Sequence, residues 1–236
     1  HMYPRAKLSD LVSLLSGRDF ETREYKMEIE DDTYEKLIIG VKDVFDVSFG
    51  AELTTKSYIE YIKANNPKLV IAQPCPALIS YVEIYKPELL PYLSPADSPM
   101  AHTVRMVKEF YPEYKDYKFA AISPCYAKKR EFAENHLGDY NVTMKSISEY
   151  FEQKKVDLST YPKTSYDNSP AEKAVLYSTP GGLMRTAEGY LPGISKKIRK
   201  IEGQPAMSEY FEELSDSIQK GKELPYQLID CLNCER

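Results

Sequence analysis

The stretch Lys68-Leu-Val-Ile-Ala-Gln-Pro-Cys75-Pro76 and its echo Lys118-Phe-Ala-Ala-Ile-Ser-Pro-Cys125-Tyr-Ala-Lys128 decide how this chain reads. Each is an apolar run of strand length, then a polar residue, then Pro-Cys, then a segment with helical spacing. A weaker third copy, Lys173-Ala-Val-Leu-Tyr-Ser-Thr-Pro180-Gly-Gly-Leu-Met184, has Gly181-Gly182 where the cysteine would stand. Short buried strands that feed helices point to an α/β fold with parallel sheets. Such sheets bind ligands just beyond the carboxyl ends of their strands, which is where Cys75 and Cys125 fall.

Outward from these units the pattern continues. Val44–Phe49 alternates and predicts a short strand. A helix is expected through Tyr58, Ile59 and Ile62, stopped by Asn65-Asn66-Pro67. Further helices are expected over about 77–85, 100–110, to about Asn135, 146–154, after Gly182 to about Gly189, and 206–220. Strands are expected near 142–144 and 198–201. Residues 157–171 read as a surface loop. Towards the N-terminus, helical spacing covers Leu8–Leu15 and Tyr34–Val41, with a charged, ambiguous stretch at Phe20–Ile29. His1-Met2 resembles a tag scar.

The composition bounds the function. The chain has 236 residues, 28% charged and 42% hydrophobic, with net charge −5 and pI about 5.4. An acidic chain is a poor partner for phosphate backbones, so nucleic acid is excluded as the main partner. No apolar run reaches the roughly 20 residues of a membrane span, and no signal-peptide core opens the chain. A cytoplasmic location, with reduced thiols, is expected.

There are four cysteines, Cys75, Cys125, Cys231 and Cys234, and besides His1 only His102 and His136. Four thiolates suit zinc or an iron–sulfur cluster. The bland alternative makes Cys75 and Cys125 small buried hydrophobes. Lys128, three residues after Cys125, shares a helix face with the turn. On spacing alone it reads as a solvated lysine beside Lys129 and Arg130. Gly181-Gly182 permits close backbone approach, or is simply a turn. Lys196–Lys200 reads as a solvated face.

At these residues the chain resembles the catalytic, C-terminal domain found in the large chain of iron–iron hydrogenases, from about Glu35 to Arg236. Gln73-Pro74-Cys75-Pro76 resembles that family's first cysteine motif. Pro124-Cys125-Tyr-Ala-Lys128-Lys-Arg-Glu131 matches its Pro-Cys-x-x-Lys-x-x-Glu at each fixed position. Gly181-Gly-Leu-Met184 is similar to Gly-Gly-Val-Met, and Cys234-Glu-Arg236 to the start of Cys-x-x-x-Cys. The Val44–Thr54, Tyr85–Ser94 and Ser98-Pro99 stretches are similar too.

The resemblance implies two lobes, each a mostly parallel sheet flanked by helices, with the cluster in the cleft between them. Residues 3–236 are expected to form this domain, as a piece of a longer chain. The implied cofactor is a 4Fe-4S cubane joined to a two-iron unit with carbonyl and cyanide ligands. Cys75, Cys125 and Cys234 would be its metal ligands, and an alternative register uses Cys231 instead. Lys128 would hydrogen-bond a cyanide. Pro74, Ser98, Ser123, Gly181, Gly182 and Met184 would line the cofactor. The two-iron unit is not expected in the fragment as purified, since its bridging cysteine falls beyond Arg236 and its assembly needs maturation proteins.

Two departures set this chain apart. Pro74 stands where catalytic members carry a proton-relay cysteine, and Ser123 stands where the family usually has methionine. Both resemble the sensory branch, whose expected partners are molecular hydrogen, protons, and a redox partner or fused signalling domain, with low turnover. The alternatives are a cubane-only protein of the iron–sulfur assembly type and a zinc-stabilised interaction domain.

Overall fold

Every strand pairing in this protein is parallel among the described residues, as the strand-then-helix order demands. The computed structural model describes residues 41–161 and 165–234. The expected N-terminal helices, the stretch Phe20–Ile29 and the His1-Met2 pair lie outside the described residues, apart from Val41. The chain divides into two units. One holds the residues up to Val47 and Thr103–Pro170, and the other holds Ser48–His102 and the residues from Ala171 on.

In order, the elements are α1 (Val47–Asn65), β1 (Val70–Ile71), α2 (Pro76–Tyr85), α3 (Pro99–Phe110), β2 (Ala120–Ser123), α4 (Lys128–Asn135), β3 (Tyr140–Thr143), α5 (Met144–Lys154), α6 (Gly182–Tyr190), β4 (Ile198–Glu202), α7 (Gln204–Gln219) and β5 (Leu228–Leu232). A 3-10 segment over Pro87–Tyr92 fills the proline-rich connection after α2. No helix among the described residues is long and apolar enough to cross a membrane.

The unit containing β1, β4 and β5 is a three-layer sandwich with strand order β1-β5-β4. Strand β5 lies in the middle, with Leu228 opposite both Val70 and Ile198. Period-two alternation sends its side chains to opposite faces. Ile71, Ile201, Ile229 and Cys231 pack with Leu78 and Val82 of α2 and Met207, Phe211 and Leu214 of α7. Val70, Ile198 and Leu228 pack with Tyr58, Ile59 and Ile62 of α1 and Leu183 and Ala187 of α6.

The other unit pairs β2 with β3, from Ala120 opposite Tyr140 to Ser123 opposite Thr143. Its core gathers Val41, Val44, Ile147 and Phe151, with a second cluster at Val104, Val107 and Phe119. Thr143 ends β3 and caps α5, its side chain accepting from the Ser146 amide at 3.1 Å. The two strands that carry Pro-Cys therefore belong to different sheets.

Three sequence expectations change. Val44–Phe49 is not a strand: helix α1 begins at Val47, and the extended residues before it bond to a loop. The Val44 and Asp46 amides donate to Asp167 Oδ2 and Asn168 Oδ1, each at 2.7 Å. The third copy, at Lys173, is a series of turns. Glu52 of α1 accepts from the Lys173 and Ala174 amides at 2.5 and 3.2 Å, capturing donors that a ladder would have used. Finally, the cysteine-bearing segment at Leu228–Leu232 is the central strand β5, which periodicity did not predict.

Phe211 is fully buried between α7 and the sheet. Phe211→Ala is expected to destabilise the protein by about 3–5 kcal/mol, read as a lowered denaturation midpoint with an unchanged slope.

Candidate metal centre

Cys75 sits at the N-cap of α2, beyond the Ala72-Gln73-Pro74 segment that follows β1, in extended backbone (φ −115°, ψ 108°). Its carbonyl accepts from Leu78 and Ile79 at 3.1 and 3.3 Å, and Pro76 opens the helix at a position where no N–H is needed. Gln73 ties this strand end to the neighbouring segment, its amide donating to the Ser94 carbonyl. Pro74 is half-buried within the same turn. Ser98 is buried, and its hydroxyl accepts from the Ala101 amide at 3.3 Å in the first turn of α3.

None of the four cysteines is in a disulfide. Cys75 and Cys231 are buried on the same sheet face, and burial pushes the Cys231 thiol far up, helped by the neighbouring Cys75 and Asp230. A thiol held neutral in apolar surroundings is a poor nucleophile. Cys234 is exposed, two residues past the end of β5. Within either unit, no three His, Cys, Asp or Glu side chains gather at metal-binding spacing among the described residues.

In the other unit, Cys125 follows β2 and is partly exposed. Ser123 is fully buried, and its hydroxyl donates to the Cys125 carbonyl at 2.8 Å. The Lys128 side chain is buried, contrary to the solvated reading, and its ammonium lies 2.5 Å from Glu131 Oε2 one turn further along α4. Burying a charge is costly unless it is paired, and Glu131 supplies the pair. In the sequence Glu131 is a motif position with no evident task.

Gly181 and Gly182 form the entrance to α6. Gly181 is left-handed (φ 66°), and a Cβ on Gly182 would lie 2.1 Å from the Tyr177 carbonyl oxygen. The helix start faces β5: the Met184 amide donates to Asp230 Oδ2 at 3.4 Å. Burial pushes Asp230 up to about 6 despite that bond. Sequence reasoning missed Asp230, whose acidic character in an apolar run was the one available signal. His102 bonds Thr54 of α1 through Nδ1 at 2.9 Å.

Comparisons with known proteins show the family and the fold. Residues 22–236 match the family model "Iron only hydrogenase large subunit, C-terminal domain". The chain belongs to this family. Among curated relatives, iron hydrogenase 1 of Clostridium pasteurianum is 25% identical over 168 residues, 63% of this chain and 29% of that protein. A probable cytosolic Fe-S cluster assembly factor of Brugia malayi is 30% identical over 105 residues, 42% of this chain and 23% of that protein. Another such factor, NAR1 of Kluyveromyces lactis, is 27% identical over 141 residues, 57% and 29% of the two chains. The chain thus spans less than a third of the length of these curated relatives. Among solved structures, the FeFe-hydrogenase HydA1 of Chlamydomonas reinhardtii superposes with a TM-score of 0.62 at 20% identity, covering 83% of this chain and 68% of that one. The α/β fold with parallel sheets is the hydrogenase-domain fold.

Two expected outcomes follow from α6. Gly182→Ala forces a methyl against backbone oxygen, so it is expected to cost at least about 2 kcal/mol in a thermal or denaturant melt. Asp230 rises from 3.8 to about 6 on folding. The folded state therefore favours the protonated acid, and this contribution is present below pH ~4 and lost as pH rises through ~6. Asp230→Asn is expected to gain stability relative to wild type between about pH 4 and 8, by about 3 kcal/mol at the upper end.

Proposed function

We propose that this domain binds an iron–sulfur cluster of the hydrogenase type and reports hydrogen or redox state, with little hydrogen turnover. The ligands in this reading are Cys75, Cys125 and Cys234. The donor set fits the group: the sulfurs are soft donors not tied up in disulfides, and thiolates are what such clusters require. Cys234 is preferred to Cys231 because it lies exposed past the strand end, whereas Cys231 is sealed in the core, where burial raises its thiol pKa.

The observation that carries the hydrogenase reading is the buried, paired ammonium of Lys128 beside the Cys125 turn. A cation kept out of water three residues from a ligand suits an anionic ligand on the metal. When bound, the two-iron part of the cofactor supplies the hydrogen chemistry. The chain's own residues hold the thiolates, present the Lys128 charge, and limit proton delivery. Pro74 limits it because proline offers neither a side-chain proton nor a backbone N–H. Molecular hydrogen and protons are the substrates of this reading, and a redox partner or signalling domain its output.

A second reading, a cubane-only role in iron–sulfur assembly, is favoured by the named assembly factors among the relatives. Such a protein has no evident use for a buried cation at the second turn.

The test is hydrogen evolution by the matured, full-length protein, as wild type and as Pro74→Cys. Loss of a general acid typically costs about 10²–10⁴-fold, so the wild type is expected to run slower than catalytic relatives by that order, with part of the loss recovered in Pro74→Cys. A wild-type rate equal to that of catalytic relatives would sink the sensory reading.

A further inference from the structure

Both Pro-Cys turns carry a polar residue two positions before the cysteine, Gln73 and Ser123, and the two are used differently. Gln73 reaches away from its own turn, to Ser94. Ser123 turns back on it. The Ser123 hydroxyl accepts from the Cys125 amide at 3.1 Å and donates to the Cys125 carbonyl at 2.8 Å. The same carbonyl accepts from the Asn141 side-chain amide at 3.1 Å. Asn141 lies on β3, opposite Ala121 of β2. Both backbone polar groups of Cys125 are therefore held by side chains, while its own thiol stays partly exposed. Pro124, between them, adds a fixed φ.

Ser123 itself is wholly buried. A hydroxyl buried this deeply must be hydrogen-bonded to be tolerated, and both of these bonds go to one residue. Methionine, which the resemblance implies at this place, has no donor and accepts only weakly. We propose that Ser123, braced by Asn141, is a positioning residue that fixes the backbone of Cys125 so that its thiol is presented in one direction. This rests on the reading of Cys125 as a cluster ligand. The prearranged ligand would bind metal without first ordering the turn, the usual gain from preorganisation.

The test uses the full chain as wild type, Ser123→Ala, Ser123→Thr, Ser123→Met and Cys125→Ala. The first readout is hydrogen exchange at the Cys125 amide in cluster-free protein. It needs no iron, so it decides the geometry in any preparation. Loss of the acceptor in Ser123→Ala and Ser123→Met is expected to speed exchange about five- to tenfold, and Ser123→Thr is expected to restore protection. The second readout follows anaerobic reconstitution with ferrous iron and sulfide: the rate at which a chelator strips the iron. Ser123→Ala and Ser123→Met are expected to lose iron about tenfold faster than wild type, Ser123→Thr at the wild-type rate, and Cys125→Ala to hold no cluster. Unchanged amide exchange in Ser123→Ala, or fast iron loss in Ser123→Thr, overturns the proposal. Wild-type retention in Ser123→Ala, alongside failure of Cys125→Ala, overturns the positioning role but leaves Cys125 a ligand. Wild-type retention in Cys125→Ala overturns the ligand reading itself.

Discussion

The seating of β5 between β1 and β4 is the constraint on which its unit depends. Both edges of this strand are paired, so its register fixes the strands on either side. A slip by one residue would exchange its two faces, sending Asp230 into the α2–α7 core and Cys231 towards α6. The observed register does the reverse. Cys231 closes the apolar face, Asp230 meets the start of α6, and Cys234 emerges two residues after the strand ends. The same pairing leaves β1 to deliver Cys75 to the N-cap of α2. The unit has its own apolar core on both sides of the sheet.

Much of this was legible in the residues. The Pro-Cys punctuation marks real strand-to-helix turns, because proline cannot donate to a ladder and suits the first helical position. Helices α2, α3 and α7 start within two residues of their expected positions. What the sequence hid has a common cause. Strand β5 carries Asp230 and Cys231 in a run that a buried strand would normally fill with aliphatics, and both look like site residues. The Lys173 copy has the apolar run but lacks the ladder, because Glu52, 121 positions away, takes its amides. Alternation at Val44–Phe49 was overridden by bonds from Asp167 and Asn168, more than 120 positions along the chain. Local periodicity carries no information about such partners.

The site was legible in its residue types and not in their environments. Spacing put Lys128 beside Cys125 but favoured solvent for it, and burial next to Glu131 reverses that weighting. Cysteine counting treated Cys231 and Cys234 as interchangeable, whereas one is sealed in the core and the other exposed. Ser123 registered as a departure from the family pattern and as one of the residues expected to line the cofactor. Its two bonds to Cys125 give the departure a physical sense: the hydroxyl holds the backbone of Cys125.

The central claim is that these thiols hold iron and sulfide. The most direct measurement is metal and acid-labile sulfide analysis of protein purified without oxygen, with its absorption spectrum. The account predicts iron and sulfide in near-equal amounts with a broad band near ~400 nm. Stoichiometric zinc in a colourless protein would contradict it.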